Sequence, residues 1–188
     1  MDLLTGDDFL ALFADYQEAF RAEFLHHYRV ASDDTAEGAS DFERWLAGAE
    51  SPDPERKAGL LQDLRDELAD GRRLYRVKVM SRTPYDLYSA EWGYAFNVQA
   101  GEEVYIWDLV ERPQLPPKTR YRTDFWLIDD RPVDMLYNTN GRFLGASLAP
   151  RGDLPVYLAA RDALLAGAVP FQSWWAAHPE LHRRARAA

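Results

Sequence analysis

The chain has 188 residues, 47% hydrophobic and 28% charged, so it can bury a sizeable core without a disulfide or metal staple and lies outside the composition of disordered chains. A formal charge of −9 disfavours a general binder of nucleic-acid backbone, which needs clustered Lys and Arg to neutralise phosphates. The absence of Cys excludes disulfides, thiol nucleophiles, iron–sulfur ligation and Cys-based zinc sites.

The opening "MDLLTGDD" has no basic, apolar leader, and no run of about 18 apolar residues occurs, so a cytoplasmic protein without a membrane span is expected. Phe9, Phe13, Tyr16, Phe20 and Phe24 recur at helical spacing behind a Thr5/Asp8 capping box, which predicts a helix over residues 6–27. The polar "ASDDTAEGAS" reads as a loop before a short amphipathic segment with Phe42, Trp45 and Leu46. Asp53, Pro54 and Gly71 bracket a long helix that puts Leu60, Leu61, Leu64 and Leu68 on one side.

After Gly71 the period becomes two: Tyr75, Val77 and Val79 alternate with Arg76 and Lys78, predicting a strand over residues 73–81 with one wetter face. Pro84 opens a helix with Tyr85, Tyr88, Trp92 and Phe96 in phase, and "EEVYIWDL" is the next strand. The proline-rich "RPQLPPK" is a loop, followed by short strands in "FWLI", "PVDMLYN" and "RFLGASL", the last two joined by the turn Asn138-Thr-Asn-Gly141. A helix begins near Asp153, and the tail ends in a basic "HRRARAA" that suits a helix C-terminus. The expected architecture is a single α/β domain, bordering on α+β. A helical front (1–71) precedes a mixed, mostly antiparallel five-stranded sheet with one inserted helix (72–150), and helices close the chain (151–188).

"DFWLIDDRP" concentrates acidic residues around a hydrophobic run. Strand alternation puts Asp124, Trp126 and Ile128 on one face and Phe125, Leu127 and Asp129 on the other. The end carboxylates then stand roughly 16 Å apart, too far to work on one bond. A buried strand turning at Asp129-Asp130 accounts for the motif better than an active site does, and Asp124 alone remains a candidate site residue.

His178 and His182 are four apart, but Pro179 makes His178 a helix cap and no third ligand is evident, so no metal site is expected. His26 and His27 would diverge by about 100° on a helix. No nucleophile elbow, phosphate loop or dinucleotide fingerprint is present, and no cofactor is expected. Arg greatly outnumbers Lys, and Ala is abundant, a codon signature of a GC-rich genome.

"GRRLYRVKVMSRTPYDLYSAEW", "AGEEV", "DFWLIDD", "GRFLG" and "ARDALLAGAVPF", in that order, resemble the actinomycete domain-of-unknown-function 6879 family. The likeness runs from "FRAEFLHHY" through Phe171. Its recurrent positions fall here on Arg21, Glu23, Tyr28, Tyr88, Glu91, Gly101, Glu102, Asp124, Phe125, Trp126 and Asp129. The extended "VERPQLPPKTRYRT" loop and the "HH" before Tyr28 depart from the pattern. The resemblance implies a regulatory setting beside helix-turn-helix regulators and small partner proteins, and no established reaction. The strand order also resembles, more weakly, one half of a phospholipase D-like sandwich, without that family's His-Lys-Asp signature.

Two functions are carried forward. The first is a non-enzymatic regulatory or interaction module that works with a helix-turn-helix DNA-binding partner and senses a small molecule. It would have no direct nucleic-acid contact, and its ligand or interface residues would come from Tyr88, Trp92, Trp107, Trp126, Arg21, Glu23 and Tyr28. The second is a small enzyme of specialised metabolism. It would use Glu91, Glu102, Asp124, Tyr88 and Arg131 in a Trp-lined pocket, with Glu102 and Asp124 meeting if their strands pair.

Overall fold

The computed structural model describes residues 3–29, 40–117 and 123–183. Its strands are β1 (Glu18–Glu23), β2 (Arg73–Met80), β3 (Glu103–Asp108), β4 (Phe125–Ile128), β5 (Arg131–Tyr137), β6 (Phe143–Leu148) and β7 (Val169–Pro170). They form one mixed sheet in the order β6-β5-β4-β1-β2-β3-β7. The three central strands β1, β2 and β3 are parallel, and an antiparallel meander β4-β5-β6 extends the sheet from β1.

The mixed α/β class agrees with the sequence reading, but the sheet has seven strands where five were expected. One extra strand is the short β7, formed by the Val169-Pro170 pair against β3. The other, β1, replaces most of the predicted helix over 6–27. The Thr5 cap does start a helix, α1, but it spans only Gly6–Ala11. The sheet therefore draws on all three parts of the chain, and the expected helical front holds its central strand. His26 and His27 follow β1 in a loop rather than on a helix.

The reason lies in the spacing itself. Four residues is nearly one helical turn, but it is also two strand repeats, so Phe20 and Phe24 share a face in either conformation. Pairing on both edges of β1 decides the matter: tertiary hydrogen bonding outweighs the helix propensity of "EAFRAEF". Phe20, Ala22 and Phe24 then enter the core on one side, and Arg21 and Glu23 face the other.

Remaining helices are α2 (Asp41–Leu46), α3 (Pro54–Ala69), α4 (Pro84–Tyr88), α5 (Ala95–Ala100), α6 (Leu154–Leu165) and α7 (Phe171–Ala177). α2 and α4 carry full capping boxes, Ser40/Glu43 and Thr83/Asp86. A π-helical stretch, Ser89–Tyr94, joins α4 to α5 inside what the sequence reads as one helix. On one face of the sheet α6 seals a core of Phe20, Tyr75, Val77, Trp107, Phe125 and Leu127 with Tyr157, Ala160 and Leu164. Gly167 ends that helix under the Trp107 ring, where a Cβ would lie 2.2 Å from a ring carbon.

The strand alternation predicted for "DFWLIDD" is present: Trp126 and Ile128 pack in one cluster, Phe125 and Leu127 in the other. Asp129 turns the chain with φ 50°, and its carboxylate accepts hydrogen bonds from Gln17 and Glu18 N–H at 3.1 and 3.0 Å. The same carboxylate thus starts the hairpin and fixes the entry of β1. On the other face the leucines that the sequence puts on one side of α3 are unequally covered, Leu60 being 61% exposed while Leu61 is buried. The "wetter" face of β2 is not wet either: Lys78 is fully buried, donates to the Leu25 carbonyl and stands 3.4 Å from Asp86.

The loop predicted over residues 31–40 falls, up to residue 39, outside the described residues, as do Lys118 to Arg122 and the last five residues of the chain. Of the basic tail, Arg183 donates to the carbonyls of Trp45 (3.1 Å) and Ala49, capping the end of α2 rather than its own helix. Among the described residues no helix is long and apolar enough to cross a membrane.

Asp129→Ala removes two backbone clamps and the tolerance for positive φ, so it should cost about 2 kcal/mol, while Asp129→Asn, which keeps an acceptor and that tolerance, should cost under about 1 kcal/mol. Urea unfolding monitored by Trp fluorescence reads the difference. Equal midpoints for the two variants would remove the clamp from the account of β1.

Candidate functional site

The face of the sheet opposite α6 carries a different surface. Reading across the central strands at one level, Asp124 precedes β4, Arg21 and Glu23 lie on β1, Arg76 on β2, and Glu102 precedes β3. Arg21 Nε is 3.0 Å from Glu23 Oε1, and Arg76 Nη1 is 2.9 Å from the same oxygen. Arg76 Nε reaches Glu102 at 2.5 Å, and Arg21 Nη2 stands 3.8 Å from Asp124. Charge therefore alternates across four strands as Asp124, Arg21, Glu23, Arg76, Glu102. In-register parallel pairing sets Arg21 directly beside Arg76, and the shared Glu23 carboxylate, flanked by Glu102 and Asp124, makes that juxtaposition tolerable.

Further hydrogen bonds hold each acid. Tyr94, carried by the π-helical stretch, donates to Glu23 Oε2 at 2.5 Å, and Asn97 on α5 donates to Glu102 at 2.8 Å. Asp124 accepts from Phe24 and Leu25 N–H at 2.7 and 3.1 Å and from the Tyr28 hydroxyl at 2.5 Å. Burial works against ionised Glu23, but Arg21, Arg76 and Lys78 prevail and hold it down at about 2. Asp124 shifts upward, because burial and the Glu23 charge outweigh the help from Arg21 and Tyr28. Tyr28 and Tyr94 are likewise raised by burial and by the carboxylates beside them.

These charges floor an open cleft of about 1290 Å³. Its walls are aromatic: Phe42 from α2, Tyr85 and Tyr88 from α4, and Trp92 on one side, with Trp126, Tyr137 and Phe143 on the other. The Arg21 guanidinium lies 5.2 Å from the Trp126 ring centroid and 5.6 Å from that of Tyr28. Lys57 reaches in from α3.

Of the residues singled out from sequence, Tyr88, Trp92, Trp126, Arg21, Glu23, Tyr28 and Glu102 line this cleft. Asp124 stands behind Tyr28 as its acceptor. Trp107 belongs to the opposite face of the sheet, packed in the α6 core. Glu91 turns away to accept from Trp45 Nε1 at 2.8 Å. Arg131 is an exposed partner of Asp129 and the Leu12 carbonyl. Glu102 and Asp124 do not meet through paired strands, since β1 and β2 lie between β3 and β4. Sequence reasoning missed Arg76, Tyr94, Asn97, Tyr137 and Lys57. Arg76 carried a readable signal, because it is in phase with the candidate face of β2; Tyr94 carried none, since its position depends on the π-helical stretch.

A second charged knot lies near the end of the chain. Asp108, Glu111 and His178 offer ligand atoms within 4.8 Å of one another, a spacing a metal would accept. The Arg82 guanidinium already occupies that centre, 2.6 Å from Asp108, 3.1 Å from Glu111 and 3.0 Å from His178 Nε2. It is a salt-bridged anchor for α7; His178 stands at the C-terminal end of that helix, where the sequence reading put a cap, but it is buried in this knot rather than solvated. Trp174 Nε1 joins it by donating to Asp108 at 2.9 Å.

A mixed sheet with an α-helical back and an ion-paired, aromatic-walled front cleft defines a mixed α/β domain. The chain belongs to the domain of unknown function family DUF6879, whose match covers residues 7–176 and so takes in the whole cleft. No match is found among curated proteins.

Glu23 lies below its ordinary 4.5, so its stabilisation is complete above that pH and is lost as pH falls toward about 2. Glu23→Gln should cost about 3 kcal/mol at neutral pH and flatten the acid limb of the stability curve; an unchanged limb would mean the network is not held by this charge. His178 is shifted the other way: burial lowers its pKa, but the Trp174 carbonyl and Glu111 raise it net above 6.5. Its contribution is thus full below pH 6.5 and fades as pH rises through the higher folded value. Thermal melts between pH 6 and 9 should show that loss in the native protein and not in His178→Gln, and parallel curves would discount the anchor.

Proposed function

We propose that this chain is a non-catalytic regulatory or interaction module that senses a small molecule in the front cleft and works with a helix-turn-helix DNA-binding partner. The cleft carries the reading: it is large enough to admit a small molecule, its walls are aromatic, and every acid in its floor is committed to an arginine. The partner half rests on the family resemblance and on the net charge of −9, which suits the basic face of a DNA-binding protein. The enzyme alternative would need Glu91, Glu102, Asp124, Tyr88 and Arg131 to converge, and two intervening strands and two outward-facing side chains speak against it.

Mass spectrometry of what copurifies with the protein from its native cells tests both halves. A small molecule released on denaturation and a DNA-binding polypeptide retained under native conditions are expected. Recovery of neither, with turnover of a small substrate by the purified protein, would establish the alternative.

A further inference from the structure

The hydrogen-bonding capacity of the cleft is asymmetric. Four carboxylates line it, and each already accepts two hydrogen bonds: Glu23 from Arg76 and Tyr94, Glu102 from Arg76 and Asn97, Asp41 from Arg44 and the Asp53 N–H, Glu43 from the N–H and hydroxyl of Ser40. Three of the cations in the lining, Arg21, Arg76 and Lys57, are not matched in this way. Arg21 makes one long hydrogen bond, 3.5 Å to the Tyr137 hydroxyl, and its Nε, though close to Glu23, is buried without a hydrogen-bond partner. Arg76 leaves its Nη2 uncommitted, and the Lys57 ammonium makes no hydrogen bond among the described residues, only a 5.5 Å approach to the Phe96 ring.

Arg76 is crowded by both of the others. It shares one carboxylate oxygen with Arg21, and burial together with its charge depresses Lys57 against the pull of Asp41 and Glu102. Unspent donors and mutual repulsion are both relieved by the same kind of guest, one that brings acceptor atoms and negative charge. The rings over the floor add a second requirement. Trp126 and Tyr28 are already engaged by the Arg21 guanidinium, and the half-buried rings of Phe42, Tyr85 and Tyr88 line the cleft as its aromatic wall.

Resting on the reading of the cleft as a ligand site, we infer that its ligand is an anionic small molecule with a planar body. Its carboxylate or phosphate sits among Arg21, Arg76 and Lys57, and its ring lies against the wall of Phe42, Tyr85 and Tyr88. Lys57 is the residue to test, because it supports no other hydrogen bond and its loss leaves the buried network intact.

The probes are 2-naphthoate, 2-naphthyl phosphate, the neutral isostere 2-naphthamide, and inorganic phosphate, followed by calorimetry and by Trp fluorescence on the full chain. At least one naphthyl acid should bind, the amide should bind roughly tenfold more weakly or not at all, and Lys57→Gln should remove most of that preference while unfolding like the parent. The better of the two acids identifies the anionic group. Inorganic phosphate binding as tightly as the acids would overturn the planar-body half, and amide binding equal to that of the acids would overturn the anionic half. Failure of all four probes would overturn the ligand class. The copurification experiment judges the cleft separately: a released molecule without an acidic group would sink this inference and leave the sensing role standing.

Discussion

β1 is held at both ends by two carboxylates of one short motif, "DFWLIDD". Asp129 takes the N–H groups of Gln17 and Glu18, and Asp124 takes those of Phe24 and Leu25. Between these clamps the strand has one register against β4 and one against β2. Because side chains alternate, that register decides at once that Phe20 and Ala22 enter the apolar core and that Arg21 and Glu23 enter the cleft. A slip of one residue would exchange the two sets, burying a guanidinium under α6. The front cleft thus depends on backbone clamps that belong to a neighbouring hairpin.

The same geometry explains what could and could not be read from the chain. "DFWLIDD" was legible because its alternation is local, and the Asn138–Gly141 turn because Asn and Gly carry their own backbone reasons; Asn138 Oδ1 accepts from Asn140 and Arg142 N–H, and Gly141 sits at φ 77°. β1 was not legible, since a spacing of four suits a helix and a strand alike and only its partners, more than 50 and more than 100 residues away, separate the two. The cleft fell between these cases. Arg21, Glu23, Tyr28, Tyr88, Trp126 and Glu102 came from a family pattern or an aromatic surplus, but Arg76 joins them only because β1 and β2 run parallel in register. Glu102 and Asp124 went astray for the converse reason: each was read correctly as a strand-end acid, and the strand order then put two strands between them.

The floor of the cleft is a costly way to make a sheet stable. Each buried ion gives up its hydration, and well-packed apolar side chains of similar volume commonly do as well or better in the same place. The opposite face shows that this chain can build such a surface, with Tyr75, Val77 and Phe125 sealed under α6. On the front face, by contrast, the ion pairs fix five side chains from four strands in one arrangement, with tyrosine and asparagine bonds from the helical wall to orient them. What that arrangement secures is direction: carboxylates turned inward and satisfied, guanidinium edges and an ammonium left with donors to spare at the foot of an aromatic cleft. Arg21 Nε stays buried without a hydrogen-bond partner although the Glu23 charge is 3.0 Å away, a cost that a sheet built for stability alone does not need. An acceptor brought by an anionic guest would offset it.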